Sequence, residues 1–264
     1  MVGAATGGVL GFFLGGPAGA AAGGAAGVAI SKSTSKVLTD VANRSLSYRE
    51  QVRIGAVTTL AIEKIKGKLD AGEKPRNDGF FETRKSALRP DAEEVFEGVL
   101  LKSKNEHEEK KVKIFANTFA NIAFAPDLKV GEANHILRTI ESVTYRQICL
   151  LSLFHQKPKM QDVVLQEDNY SKFQGFIPYE TISTLQETYQ LYNLGLVGCR
   201  LAPPGEAGPT GHHEALLGWD DVEPQKMELT SLGERYYVLM DLDEIPRTDL
   251  EDVVISLASL APRT

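Results

Sequence analysis

The chain has 264 residues, with 29 Lys and Arg against 35 Asp and Glu, and two cysteines. That length holds a short apolar segment plus one or two small domains. The net charge of −6 and a pI near 5.5 argue against a protein built to neutralise phosphates. Cys149 and Cys199 alone imply no disulfide framework, and Cys149, in an apolar run, reads as a small buried hydrophobe.

Residues 1–30 carry no charged side chain, and glycine recurs at Gly3, Gly7, Gly11, Gly15, Gly19, Gly23 and Gly27. At about 100° per residue, positions four apart form a ridge along one side of a helix. A ridge without side chains is a groove in which another backbone can lie, as in small-xxx-small packing in lipid. In water each glycine would cost roughly 0.8–1 kcal/mol against alanine in a helix interior. Val9, Leu10, Phe12, Phe13, Leu14, Val28 and Ile30 do not suit a flexible linker. The absence of Lys or Arg before Lys32 does not suit a signal peptide. The segment predicts a glycine-zipper helix, kinked at Gly15-Gly16-Pro17, or a hairpin turning there. Its modest apolarity makes a lone copy marginal in lipid, which couples insertion to association. Gly7, Gly11, Gly15, Gly19, Gly23 and Gly27, with Phe12, Phe13 and Leu14, are the expected membrane and oligomerisation residues. A soluble homo-oligomeric interaction or scaffold protein is the rival use of the same ridge, and a winged-helix regulator tethered to the membrane is the third reading.

Residues 31–46 read as a polar neck. Lys32, Lys36 and Arg44 against Asp40 place the body on the cytoplasmic side by the positive-inside tendency. Ser47 and Glu50 form a capping box that opens a helix running toward Gly72. Glu73 to Arg89 reads as an irregular connection pinned by Phe80 and Phe81. Asp91 and Glu94 open a helix expected to run to Phe124. Its middle, Lys102 to Lys113, reads as a solvated face with Glu106–Lys110 and Glu109–Lys113 as i,i+4 pairs. His107-Glu108 is not a zinc-protease motif, because position 111 is Lys. A short helix follows over Gly131 to Glu141, and Thr144 with Gln147 makes a second capping box.

Helical spacing from Tyr179 to Leu194 ends at Gly195. A strand follows at Leu196, Val197 and Leu201, then a Pro/Gly-rich loop to Gln225 and a returning strand at Met227 and Leu229. Thr230 caps the next helix, and Thr248 or Asp249 caps a last one. The order helix, helix, Gly195, strand, loop, strand, Leu229-Thr230-Ser231-Leu232-Gly233 resembles a winged helix. No Lys or Arg occurs from Thr181 to Leu194, which argues against DNA recognition and for a protein-interaction or structural use. The layout also resembles bacterial abortive-infection proteins of the Abi-alpha kind. The carrying residues are Glu108 to Ala123, Ser142 to Leu153 and Leu229 to Gly233. That resemblance implies a phage-defence role and supplies no catalytic residues.

No P-loop or nucleophile elbow is present, and His212-His213 with Cys199 matches no standard zinc spacing. The expected protein is mainly α. It has a glycine-zipper segment (1–30), a neck (31–46), a helical domain (47–142) and a winged-helix-like α+β domain (143–264). It is expected not to be an enzyme and to need no cofactor or metal. Membrane lipid, further copies of itself and a protein trigger are the expected partners, with no nucleic acid. Its expected place is the bacterial inner membrane with a cytoplasmic body, or the cytoplasm until triggered.

Overall fold

The structure, a computed structural model, describes residues 34–258 apart from positions 43, 45, 85–86, 161, 172 and 201–212. These residues are mainly helical, with a small antiparallel sheet late in the chain. They divide into two compact units, one ending at Val143 and the other beginning at Thr144. Among the described residues no helix is long and apolar enough to cross a membrane.

The described part of the first unit opens with a helix where a polar neck was expected. Residues 34–42 form α1, and Val37, Leu38 and Val41 on one side of it are buried. The spacing 37, 38, 41 is helical, but three apolar residues among polar ones are too few to be distinctive in sequence. Lys36 and Arg44 hold this stretch to α3 (Asp91–Asn105) by pairing with Glu93 at 3.0 Å and Glu97 at 2.5 Å. The capping box at Ser47 is formed as expected: Glu50 N–H donates to Ser47 Oγ and Ser47 N–H donates to Glu50 Oε2. It opens α2 (Tyr48–Asp70), and Gly72 beyond its end takes a left-handed φ of 84°.

The expected long helix over 91–124 is two helices, α3 and α4 (Lys110–Ile122). The break is at Glu106, whose backbone is extended at ψ 128°. The polar run is a solvated face only in part: Asn105, His107, Glu109, Lys110 and Lys113 are exposed, whereas Ser103, Glu106 and Lys111 are buried. Glu106 Oε2 lies 2.6 Å from Lys111 Nζ, and Lys111 Nζ also donates to the Glu141 carbonyl at 3.4 Å. The pairing is thus between the last turn of one helix and the first of the next. α4 is buried throughout except at Lys110 and Lys113, and packs against α2, α3 and α5 (Val130–Ser142). The Phe119 and Phe96 rings meet tilted at 39°, their centroids 4.6 Å apart, and both are fully buried.

The connection 71–90 is anchored by Arg76 more than by its phenylalanines. Buried Arg76 donates to the carbonyls of Ile122 and Leu128 and to Asp78, and it covers the Phe80 ring at 4.3 Å. It thereby satisfies carbonyls at and beyond the C-terminal end of α4 that have no helical donor. Phe80 is buried and touches Phe81 edge-on.

The second unit is built on α6 (Tyr145–Gln156), whose residues Gln147 to Phe154 are all buried. Its capping box, Thr144 with Gln147, is formed. α7 (Tyr179–Asn193) leads through Gly195, at φ 71°, into β1 (Val197–Arg200). β1 is the central strand, flanked by β2 (His213–Glu214) and β3 (Met227–Leu229), both antiparallel to it. Val197 lies opposite Leu229 and Cys199 opposite Met227. α8 (Ser231–Met240) starts at Thr230, whose hydroxyl accepts from Gly233 N–H. The last helix, α9 (Arg247–Leu257), begins after Pro246 with no side-chain cap, not at Thr248 or Asp249.

Candidate functional site

The residues expected to act on membranes and to self-associate, Gly7 to Gly27 with Phe12, Phe13 and Leu14, lie outside the described residues. The described part does carry an uneven charge. Residues 1–143 hold 20 Lys and Arg against 17 Asp and Glu, a net of +3. Residues 144–264 hold 9 against 18, a net of −9. The acidic balance of the whole chain therefore belongs to the second unit.

Four clusters in the described residues have the residue types that chemistry uses. Glu106, His107 and Glu108 place their ligand atoms within 4.8 Å of one another. A cation already sits among them, since Lys111 Nζ is 2.6 Å from Glu106 and 3.8 Å from Glu108. Burial raises the Glu106 pKa, and the hydrogen bonds from Lys111 and the Glu108 N–H outweigh it, holding the carboxyl below the usual range. The cluster is accounted for as an internal ion pair with one exposed histidine beside it.

The second cluster is His155, whose Nδ1 lies 2.9 Å from Glu234 and whose ring stacks on Tyr237 at 3.9 Å. A histidine oriented by a carboxylate is two-thirds of a nucleophilic triad. The hydroxyl on the same helix, Ser152, donates to the Leu242 carbonyl at 2.8 Å, and both thiols of the chain are buried. The pair is suited to joining α6 to α8.

Lys157 forms the third. Its ammonium donates to the carbonyls of Pro224, Gln225 and Met227 at 3.2, 2.6 and 2.5 Å. Burial lowers its pKa to about 8, in the range of nucleophilic lysines. All three N–H donors are nevertheless directed at backbone, so the amine holds the approach to β3 and presents no free lone pair. His213, the fourth, lies opposite Arg200 in the sheet, one position out of step with Cys199, which pairs with Glu214.

α7 differs from these in having a large exposed side. Its two carboxylates are gathered by Arg146 on α6. Arg146 donates to Glu187 at 2.7 Å, to Glu180 at 2.5 Å and to Ser183 at 2.6 Å. Gln147 adds bonds to the Glu187 carbonyl and to Gln190. These contacts span 34 to 41 residues and have no local signature in the sequence. No protein-family model, curated protein or solved structure matches this chain.

Proposed function

We propose that the protein is a membrane-acting, self-associating effector of bacterial phage defence, in which residues 1–30 insert and pack through the glycine ridge and the two following units form its cytoplasmic body. The observation that carries this reading is the unbroken spacing Gly3 to Gly27 in a stretch free of charge up to Lys32. The charge distribution supports it, because the unit joined to that stretch is basic and the further one strongly acidic. Anionic lipid attracts the former and repels the latter. The second unit is read as a winged helix used for protein contact, on the order α6, α7, β1, β2, β3, α8 and the Gly195 turn. The defence role rests on the resemblance of Glu108–Ala123, Ser142–Leu153 and Leu229–Gly233 to abortive-infection proteins. The mechanism needs no catalysis: association stabilises insertion, and inserted assemblies breach the membrane.

Expression of the full chain beside one starting at Ser31 tests this. Loss of growth and of membrane potential with the full chain alone is the expected result. Equal growth of both, with the full chain washed from membranes by carbonate, would favour the soluble homo-oligomer instead.

A further inference from the structure

The exposed side of α7 and the turn beside it form a surface with aromatic side chains along it and two aspartates at one end. Tyr179, Ile182, Gln186, Tyr189 and Asn193 recur at intervals of three and four, so they share one side of the helix. Tyr179, Gln186 and Asn193 on that side are exposed, and the other two half-buried. Phe176 meets the Tyr179 ring edge-on at 6.4 Å, extending the surface past the start of the helix. At the other end the turn Trp219–Asp221 packs against α7, and Tyr189 donates its hydroxyl to the Leu217 carbonyl at 3.1 Å. Leu217 itself is 87% exposed, Tyr179 83% and Phe176 62%. Large apolar side chains left open at both ends of one side, with half-buried Ile182 and Tyr189 between them, mark a contact surface.

Charge decides what the surface fits. The unit carries −9, and Asp220 and Asp221 stand half-exposed on the turn that bears Leu217. Nucleic acid and anionic lipid would both be repelled, although exposed aromatics suit a bilayer interface. A polypeptide with apolar anchors and Lys or Arg is attracted on both counts. We infer that the α7 surface is a docking site for a basic amphipathic segment of a partner protein. This gives a chemical class to the trigger in the reading above, yet its binding is independent of membrane action by residues 1–30.

Trp219 is the single tryptophan and lies in the turn beside α7, so its emission reports binding in the full chain. The probes are a synthetic amphipathic Leu/Lys peptide, its Leu/Glu counterpart, phosphatidylglycerol–phosphatidylcholine vesicles and duplex DNA. The Leu/Lys peptide is expected to shift the emission saturably and the Leu/Glu peptide not at all. Tyr179→Ser or Leu217→Ser should weaken binding about tenfold, the scale of losing one interface anchor, while Tyr179→Phe retains it. Both positions are exposed, so an unchanged unfolding curve accompanies the loss. The inference is overturned if the two peptides act alike, if neither binds, if the variants bind as the parent does, or if only vesicles or DNA give a variant-sensitive shift. Peptide binding lost with membrane damage intact would sink this inference alone; the converse would sink the membrane reading alone.

Discussion

Lys111 Nζ and Glu106 Oε2 are 2.6 Å apart, with side chains 2% and 5% exposed, and the pair closes the break between α3 and α4. Removing one partner leaves a buried charge, which costs about 3–5 kcal/mol. Lys111→Met alone is therefore expected to lower unfolding stability by that order. Glu106→Leu combined with Lys111→Met should recover most of the loss. Urea unfolding of the two variants checks this, and equal destabilisation by both would show that the ion pair itself is required.

The same pair gives a pH dependence. The Glu106 carboxyl is held below its ordinary value in the folded protein, so the unfolded chain binds the proton more readily. Its stabilisation is complete above the unfolded pKa of about 4.3. It is lost as pH falls from there through the folded value. Parent and Glu106→Gln should thus converge in stability on acidification, read as urea midpoints from neutral pH downward.

Arg146→Ala removes the clamp on α7. The Glu187 arm is half-buried, whereas Glu180 is 66% exposed and contributes little through solvent screening. A loss of about 1–2 kcal/mol is expected, in the range for charge-assisted hydrogen bonds. Arg146→Lys, unable to fork between two carboxylates and Ser183, should recover less than half. Denaturant unfolding followed by Trp219 emission reports on the unit concerned.

Two glycines should respond in opposite directions. A Cβ at Gly233 would stand 2.0 Å from the Leu196 carbonyl oxygen, a backbone atom that cannot step aside. Gly233→Ala is expected to cost about 3 kcal/mol or more, the upper range for overpacking. At Gly55, inside α2, a Cβ meets nothing within 4 Å. Gly55→Ala should stabilise by about 0.5–1 kcal/mol. Thermal unfolding of each variant separates the two cases.

Truncation should respect α1. A chain starting at Ser47 discards buried Val37, Leu38 and Val41, with Lys36 that pairs with Glu93 and Arg44 that shares Glu97 with Arg89, whereas one starting at Ser31 keeps them. The Ser31 version is expected to be the more stable by several kcal/mol, at about 1.5–3 for each buried aliphatic side chain. Comparing their urea midpoints is sufficient.

For the glycine ridge, Gly15→Leu or Gly19→Leu should abolish crosslinked oligomers in membranes, because leucine separates backbones that pack only at close range. Ala21→Asp should eliminate dye leakage from liposomes, since a mid-segment charge adds roughly 2.5–3.5 kcal/mol to insertion. Undiminished leakage would exclude residues 1–30 as the membrane-active part.

What the sequence by itself determined is what depends on near neighbours along the chain. The capping boxes at Ser47–Glu50 and Thr144–Gln147, the cap at Thr230 and the left-handed turns at Gly72 and Gly195 were all legible. Each is a bond or a dihedral within a few residues, so its cause is printed locally. The tertiary structure decided whatever depends on distant partners. Helix α1 looked polar because its buried apolar side chains are only Val37, Leu38 and Val41, facing a core supplied from elsewhere. The stretch 102–113 looked solvated because charge usually is, yet Glu106 and Lys111 are buried against one another and the Glu141 carbonyl. Glu180 and Glu187 are joined to Arg146 across 34 and 41 residues, a pairing that no local pattern announces. Periodicity records how often apolar residues recur, whereas burial of a charge depends on a partner that only folding brings within 3 Å.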